Sequence, residues 1–170
     1  MFNSNKTVYS TFDSDLTDSR MSKYHRSEAE VKSWLFSLLA IPQSDIDQYK
    51  SLNLDLISIL KDGILLCQLG NLLQIPGNPC KKVKNSKMPF VQMENISFFL
   101  KTCEMIGVPH DEIFQTVDLF DRKDPYQVIV LLISFSRFAN QINSSIPIIG
   151  PRVAKIKPPV PNKPVRFRAN

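Results

Sequence analysis

Apolar positions recur through the middle of the chain at helical rather than strand spacing. Ser27-Glu28-Ala29-Glu30 has a capping-box pattern, in which the serine hydroxyl can accept from the third helical N–H while Glu30 reaches back. After it, Val31, Trp34, Leu35, Leu38 and Leu39 fall at i, i+3, i+4, i+7 and i+8, which predicts a helix that Pro42 ends. A second helix is predicted from about Leu54 to Leu73, with Leu56, Ile57, Leu60, Ile64, Cys67 and Leu72 on one side. Gly63 lies inside it at a cost of roughly 1 kcal/mol against Ala, which points to a close backbone approach there. Ile75-Pro76-Gly77-Asn78-Pro79 breaks the pattern, and a basic loop with Lys81, Lys82, Lys84 and Lys87 follows.

A third helix is predicted from Val91 to Ile106, stopped by Gly107 and Pro109, with a short helical turn over Asp111 to Gln115. Asp124-Pro125 announces the fourth, an N-cap acid followed by proline at the first helical position. From Tyr126 to Ile142 that helix is apolar nearly all round, so it belongs in the middle of a bundle. These patterns predict an all-α fold: four main helices plus short ones over residues 28–142. Flanking it, residues 1–27 read as a flexible leader rich in Ser, Thr, Asp and Asn, and residues 143–170 as an extended, basic, proline-rich tail.

Charge sharpens that division. The chain carries a net +5, yet residues 151–170 hold Arg152, Lys155, Lys157, Lys163, Arg166 and Arg168 with no acid, and residues 28–150 come to −2. The body is nearly neutral and the positive charge is an appendage, suited to a polyanionic partner such as an acidic filament, nucleic acid or a lipid surface. Nucleic acid fits least, because the tail interleaves one aromatic, Phe167, and the body shows no basic helix face. The longest apolar run, Val128 to Ile133, is too short for a membrane span, and the N-terminus has no signal-peptide core.

Enzyme chemistry finds little footing. No P-loop, GxGxxG, HExxH or Ser/His/Asp arrangement is present, so no catalytic residue is assigned. His25 and His110 sit in expected loops at helix edges without neighbours at metal-ligand spacing, and no cofactor or metal is expected. Asp118, Asp121 and Asp124 lack the spacing and glycine of a calcium loop and are expected to cap helices. Three cysteines, Cys67, Cys80 and Cys103, form no CxxC pair and fit reduced thiols in a cytoplasmic protein, with Cys80 beside a proline and lysines the one candidate reactive thiol.

Four segments carry a resemblance. Leu60-Lys61-Asp62-Gly63-Ile64-Leu65-Leu66-Cys67 resembles the "LKDGvvLC" run of calponin-homology domains. Phe90-Val91-Gln92-Met93-Glu94-Asn95-Ile96 is similar to their "FkqmENI" helix start, and Gln115-Thr116-Val117-Asp118-Leu119-Phe120 to their "qTvDLf" turn. Lys123, Asp124 and Val128 resemble their last helix opening, and Trp34 sits where their first helix carries a tryptophan. The order and spacing look most like the calponin/transgelin branch, fungal transgelins included. That resemblance implies a compact helical bundle that binds or bundles actin filaments in the cytoplasmic cytoskeleton. It departs from animal members in showing no clear match to their C-terminal calponin repeat.

Site expectations follow. Trp34, Gly63, Asn95, Asp118 and Leu119 are expected to be structural. The tail cations Arg152, Lys155, Lys157, Lys163, Arg166 and Arg168, with Lys81, Lys82, Lys84 and Lys87 as a secondary contact, are candidate actin-binding residues. The tail also offers SH3-ligand patterns in both orientations, through Lys155, Pro158, Pro161, Lys163, Pro164 and Arg166, because a preformed polyproline helix docks at little entropic cost. An adaptor that recruits SH3-domain proteins is therefore the alternative reading.

Overall fold

The computed structural model describes residues 5–151, with side chains described from Phe12 onward. Seven α-helices occur among them: α1 (Asn5–Leu38), α2 (Gln43–Ser51), α3 (Leu56–Leu60), α4 (Ile64–Asn71), α5 (Pro89–Met105), α6 (Thr116–Phe120) and α7 (Pro125–Ile142). Two 3-10 turns, Pro79–Lys82 and His110–Glu112, complete the described order, which contains no strand. Helix α1 lies alongside α7, and α4 packs on α5.

As its all-apolar sequence predicts, α7 is central. Val128, Ile129, Leu131, Leu132, Phe135 and Ala139 are all fully buried. Asp124 caps it, its carboxylate accepting from Gln127 N at 3.2 Å with Pro125 at the first turn. Around α7 the core collects Leu35, Leu60, Leu66, Leu69, Ile96 and Phe99 from α1, α3, α4 and α5, and Phe99 meets Phe135 with ring centroids 5.2 Å apart.

Four expectations need correction. Residues 5–27 are not a separate leader but the first part of α1, and the capping box at Ser27 starts no helix. The α1 stripe reaches back through Tyr24, which is buried, to Met21, and Glu28 instead accepts from Leu56 N at 2.8 Å. The second expected helix is two, α3 and α4, because Gly63 takes φ +73° between them. The extended tail does not begin at residue 143: Ile146 and Ile149 are buried, and Trp34 Nε1 donates to Pro147 O at 2.8 Å. Finally, His25 lies on the exposed side of α1 rather than in a loop.

Two elements were not anticipated. Helix α2 buries none of its residues, so it has no apolar period to read, and its tie to the body is Tyr49 stacked on Phe36. Helix α6 is a single turn whose start is closed by Asp118 Oδ2 accepting from Gln115 N at 2.7 Å. The expected turn at Asp111 to Gln115 is a 3-10 turn, His110–Glu112, followed by extended backbone at Ile113.

Candidate binding surface

The most distinctive surface of the body is the segment from Asn78 to Phe90, which joins α4 to α5. Pro79–Lys82 forms a 3-10 turn because the Asn78 side chain accepts from Cys80 N at 3.0 Å and donates to Gly70 O at 3.0 Å. Asn95 then fastens the following stretch. Its amide donates to Lys84 O at 2.8 Å and Asp62 O at 3.0 Å, while its Oδ1 accepts from Lys84 N at 3.0 Å. Gln92 Nε2 donates to Ser86 O at 3.2 Å. The loop is thus held by buried or half-buried amides rather than left loose.

From this fixed backbone Lys81, Lys82, Lys84 and Lys87 all project as exposed side chains. Among the described residues only Lys84 of these four has an ion-pair partner, Glu94 Oε2 at 3.9 Å. Met88 and Phe90, at the start of α5, are 64% and 72% exposed, high values for large apolar side chains. Sequence reasoning marked the lysines but passed over Met88 and Phe90. No spacing signal marked Phe90, which stands three residues before Met93 in register with the expected stripe; the face α5 buries is Asn95, Ile96, Phe99, Thr102 and Cys103, on the opposite side of the helix from Phe90.

Asn95 and Leu119 are buried, and Gly63 lies so close to α5 that a Cβ on it would come within 2.7 Å of Asn95 Cβ and Ile96 N. Trp34 is mostly buried but also rims a groove of about 800 Å³ with Leu38, Leu72, Ile146 and Pro147. Asp118 and Asp124 cap helices, and Asp124 also holds Arg20 Nη2 at 2.6 Å. Cys80 is fully buried with its sulfur 3.2 Å from Thr102 Oγ1, which corrects its reading as a reactive thiol. Cys67 and Cys103 are likewise buried and free, and burial pushes the Cys103 thiol well above its ordinary range.

A polar clasp lies at the junction of α1, α3 and α6. Arg122, in a left-handed conformation at φ +56°, reaches Asp55 with both terminal nitrogens, at 2.7 and 2.5 Å, and Ser58 Oγ at 2.6 Å. Asp55 meanwhile caps α3 through Ser58 N at 3.1 Å. Burial favours the neutral acid, yet the Arg122 and Ser58 hydrogen bonds outweigh it and hold the Asp55 carboxyl well below the usual carboxylate range. Burial raises the neighbouring Tyr24 hydroxyl, reinforced by the charges of Glu28 and Asp55.

The remaining expected contacts, Arg152, Lys155, Lys157, Lys163, Arg166 and Arg168 and the SH3-ligand prolines Pro158, Pro161 and Pro164, lie outside the described residues. Among the described residues no helix is long and apolar enough to cross a membrane.

This arrangement of a central apolar helix, a split α3–α4 pair and an asparagine-pinned loop defines a class. The family model of the calponin homology (CH) domain matches residues 25–141, and the chain belongs to that family. Within it the chain falls in the calponin/transgelin branch. It is 39% identical over 166 residues to a transgelin of Saccharomyces cerevisiae, covering 94% of this chain and 80% of that one. It is 33% identical over 142 residues to a transgelin of Schizosaccharomyces pombe, covering 78% of this chain and 72% of the relative. Myophilin of Echinococcus granulosus is 38% identical over 128 residues, 75% of this chain and 63% of its own length. The family is one of binding modules, and the chain is not an enzyme.

Proposed function

We propose that the protein binds actin filaments of the cytoskeleton and crosslinks them. Membership of the calponin homology family and similarity to two fungal transgelins support the filament partner. The observation that carries the crosslinking is the division of charge. A body of net −2 over residues 28–150 displays four exposed lysines on a rigid loop, while six further cations follow Pro151. Crosslinking takes two contacts per particle, and these two cationic regions supply one each to an acidic filament.

The test is filament pelleting of the full chain and of a chain lacking residues 152–170, each at low and high salt. Removal of the tail is expected to weaken high-speed pelleting and flatten its salt dependence, since exposed charges are screened over about 10 Å at 0.1 M salt. Low-speed pelleting, which requires bundles, is expected to disappear. Equal pelleting of both chains at both salts would remove the tail as a filament contact.

A further inference from the structure

The lysine loop has a feature that attraction to an acidic filament does not use. Lys81, Lys82, Lys84 and Lys87 run directly into Met88 and Phe90, so an unusually cationic stretch adjoins two exposed apolar side chains at one end of α5. Apolar surface this open in water, 64% of Met88 and 72% of Phe90, is unfavourable in proportion to its area. We propose that this patch docks on an anionic lipid bilayer, with Met88 and Phe90 entering the headgroup–acyl boundary and the four lysines lying against the lipid phosphates.

Four observations favour a bilayer over a protein face. The cations are all lysines, compact point charges suited to a diffuse anionic surface. Protein interfaces are depleted in lysine and prefer the planar fork of arginine, which the patch lacks. Durable attachment to a bilayer takes two signals, and an apolar insertion beside a polybasic stretch provides both. The loop is also pre-arranged: Asn95, Asn78 and Gln92 hold its backbone, so docking orders side-chain tips only. The N-terminus of the 17-residue α5 adds its positive dipole end on the same side.

This inference goes beyond the filament reading and stands apart from it, because the filament reading draws on the cations alone whereas entry into a bilayer needs the apolar pair. The test uses the full chain with vesicles of phosphatidylcholine alone or mixed with phosphatidylserine, and filament pelleting in parallel. Phe90→Trp adds a reporter to the mostly buried Trp34. Its emission is expected to shift to the blue and to be quenched by brominated lipid on the anionic vesicles only.

The double variant Met88→Ser with Phe90→Ser is expected to bind those vesicles about tenfold more weakly at an unchanged thermal midpoint, as loss of two partly buried apolar groups implies. Its filament pelleting is expected to stay at the level of the unsubstituted chain. Unshifted emission from the Phe90→Trp protein while it co-sediments with vesicles would show adsorption through the tail alone and overturn the proposal. So would a double variant that loses filaments and keeps vesicles, which would assign the patch to the filament. Failure of the unsubstituted chain to pellet with filaments would end the filament reading and leave this one standing or falling on the vesicles.

Discussion

At the scale of single residues the fold rests on side chains that each close more than one element. Asp55 is the clearest: it caps α3, receives both arms of Arg122 and lies 3.4 Å from the Tyr24 hydroxyl. Because its carboxyl is held below the ordinary range in the folded state, it contributes stability above the unfolded carboxylate pKa of about 4 and loses it as pH falls below that value. Arg122→Ala is expected to cost about 1 kcal/mol at neutral pH, a modest figure because the guanidinium is half exposed. Urea titrations from pH 7 to pH 3 are expected to show a shallower acid decline in that variant than in the parent; parallel declines would detach Asp55 from the acid sensitivity. Little of this clasp was legible in the sequence. Arg122 lies 67 positions from Asp55, and a left-handed non-glycine residue announces itself by no composition rule. The capping of α7 by Asp124 was legible, because an acid before a proline is a local signal that needs no knowledge of the fold.

At the scale of elements, Gly63 decides where one helix becomes two. It combines φ +73° with a backbone so close to α5 that an added Cβ would clash with Asn95 and Ile96, whereas Gly77, at φ +69°, has nothing within 4 Å. Gly63→Ala is therefore expected to cost about 3 kcal/mol, strain plus overpacking, and Gly77→Ala about 1 kcal/mol, strain alone. Denaturant midpoints of the two variants compare them directly, and equal losses would refute the close crossing. The apolar stripe of α3 and α4 was read as continuous because a break of three residues, Lys61 to Gly63, leaves a helical period almost in phase. The glycine itself carried the hint of a close approach; only its φ could turn that hint into a boundary. The start of α1 was missed for a different reason. Tyr9, Phe12 and Leu16 fall at helical spacing there, but Ser, Thr and Asp crowd the positions between them and give the segment the composition of a loop, and in the structure residues 12–19 are all exposed. Tyr24 and Met21 show that the buried stripe nevertheless extends seven to ten positions before Val31.

At the scale of the whole molecule, the neutral body and its cationic fringe were visible from charge counting alone, and the helical bundle from periodicity. Spacing could not show that residues 143–151 fold back along α7. Arg137 Nη2 donates to Pro151 O at 2.9 Å, Asn140 Nδ2 to Ile146 O at 2.9 Å, and Ile149 N to Ser136 Oγ at 3.1 Å. Two prolines and two serines made that segment look loose, and its buried isoleucines were too few to form a period. Trp34→Phe removes the indole donor to Pro147 together with one of its two fused rings, and is expected to cost about 2 kcal/mol. Limited proteolysis is expected to cut this variant faster between residues 143 and 151, with α7 still protected; an unchanged cleavage rate would mean the neighbouring bonds suffice.

That clip makes Pro151 a fixed mooring on the flank of the bundle. Arg168 lies seventeen residues beyond it, and covalent geometry limits that stretch of chain to about 60 Å even when taut. A particle whose body rests on one filament can therefore touch another with its last arginine only across a gap of that order. Bundles held in this way would share a maximum spacing, one that lengthens with residues inserted after Pro151 and shortens with residues removed.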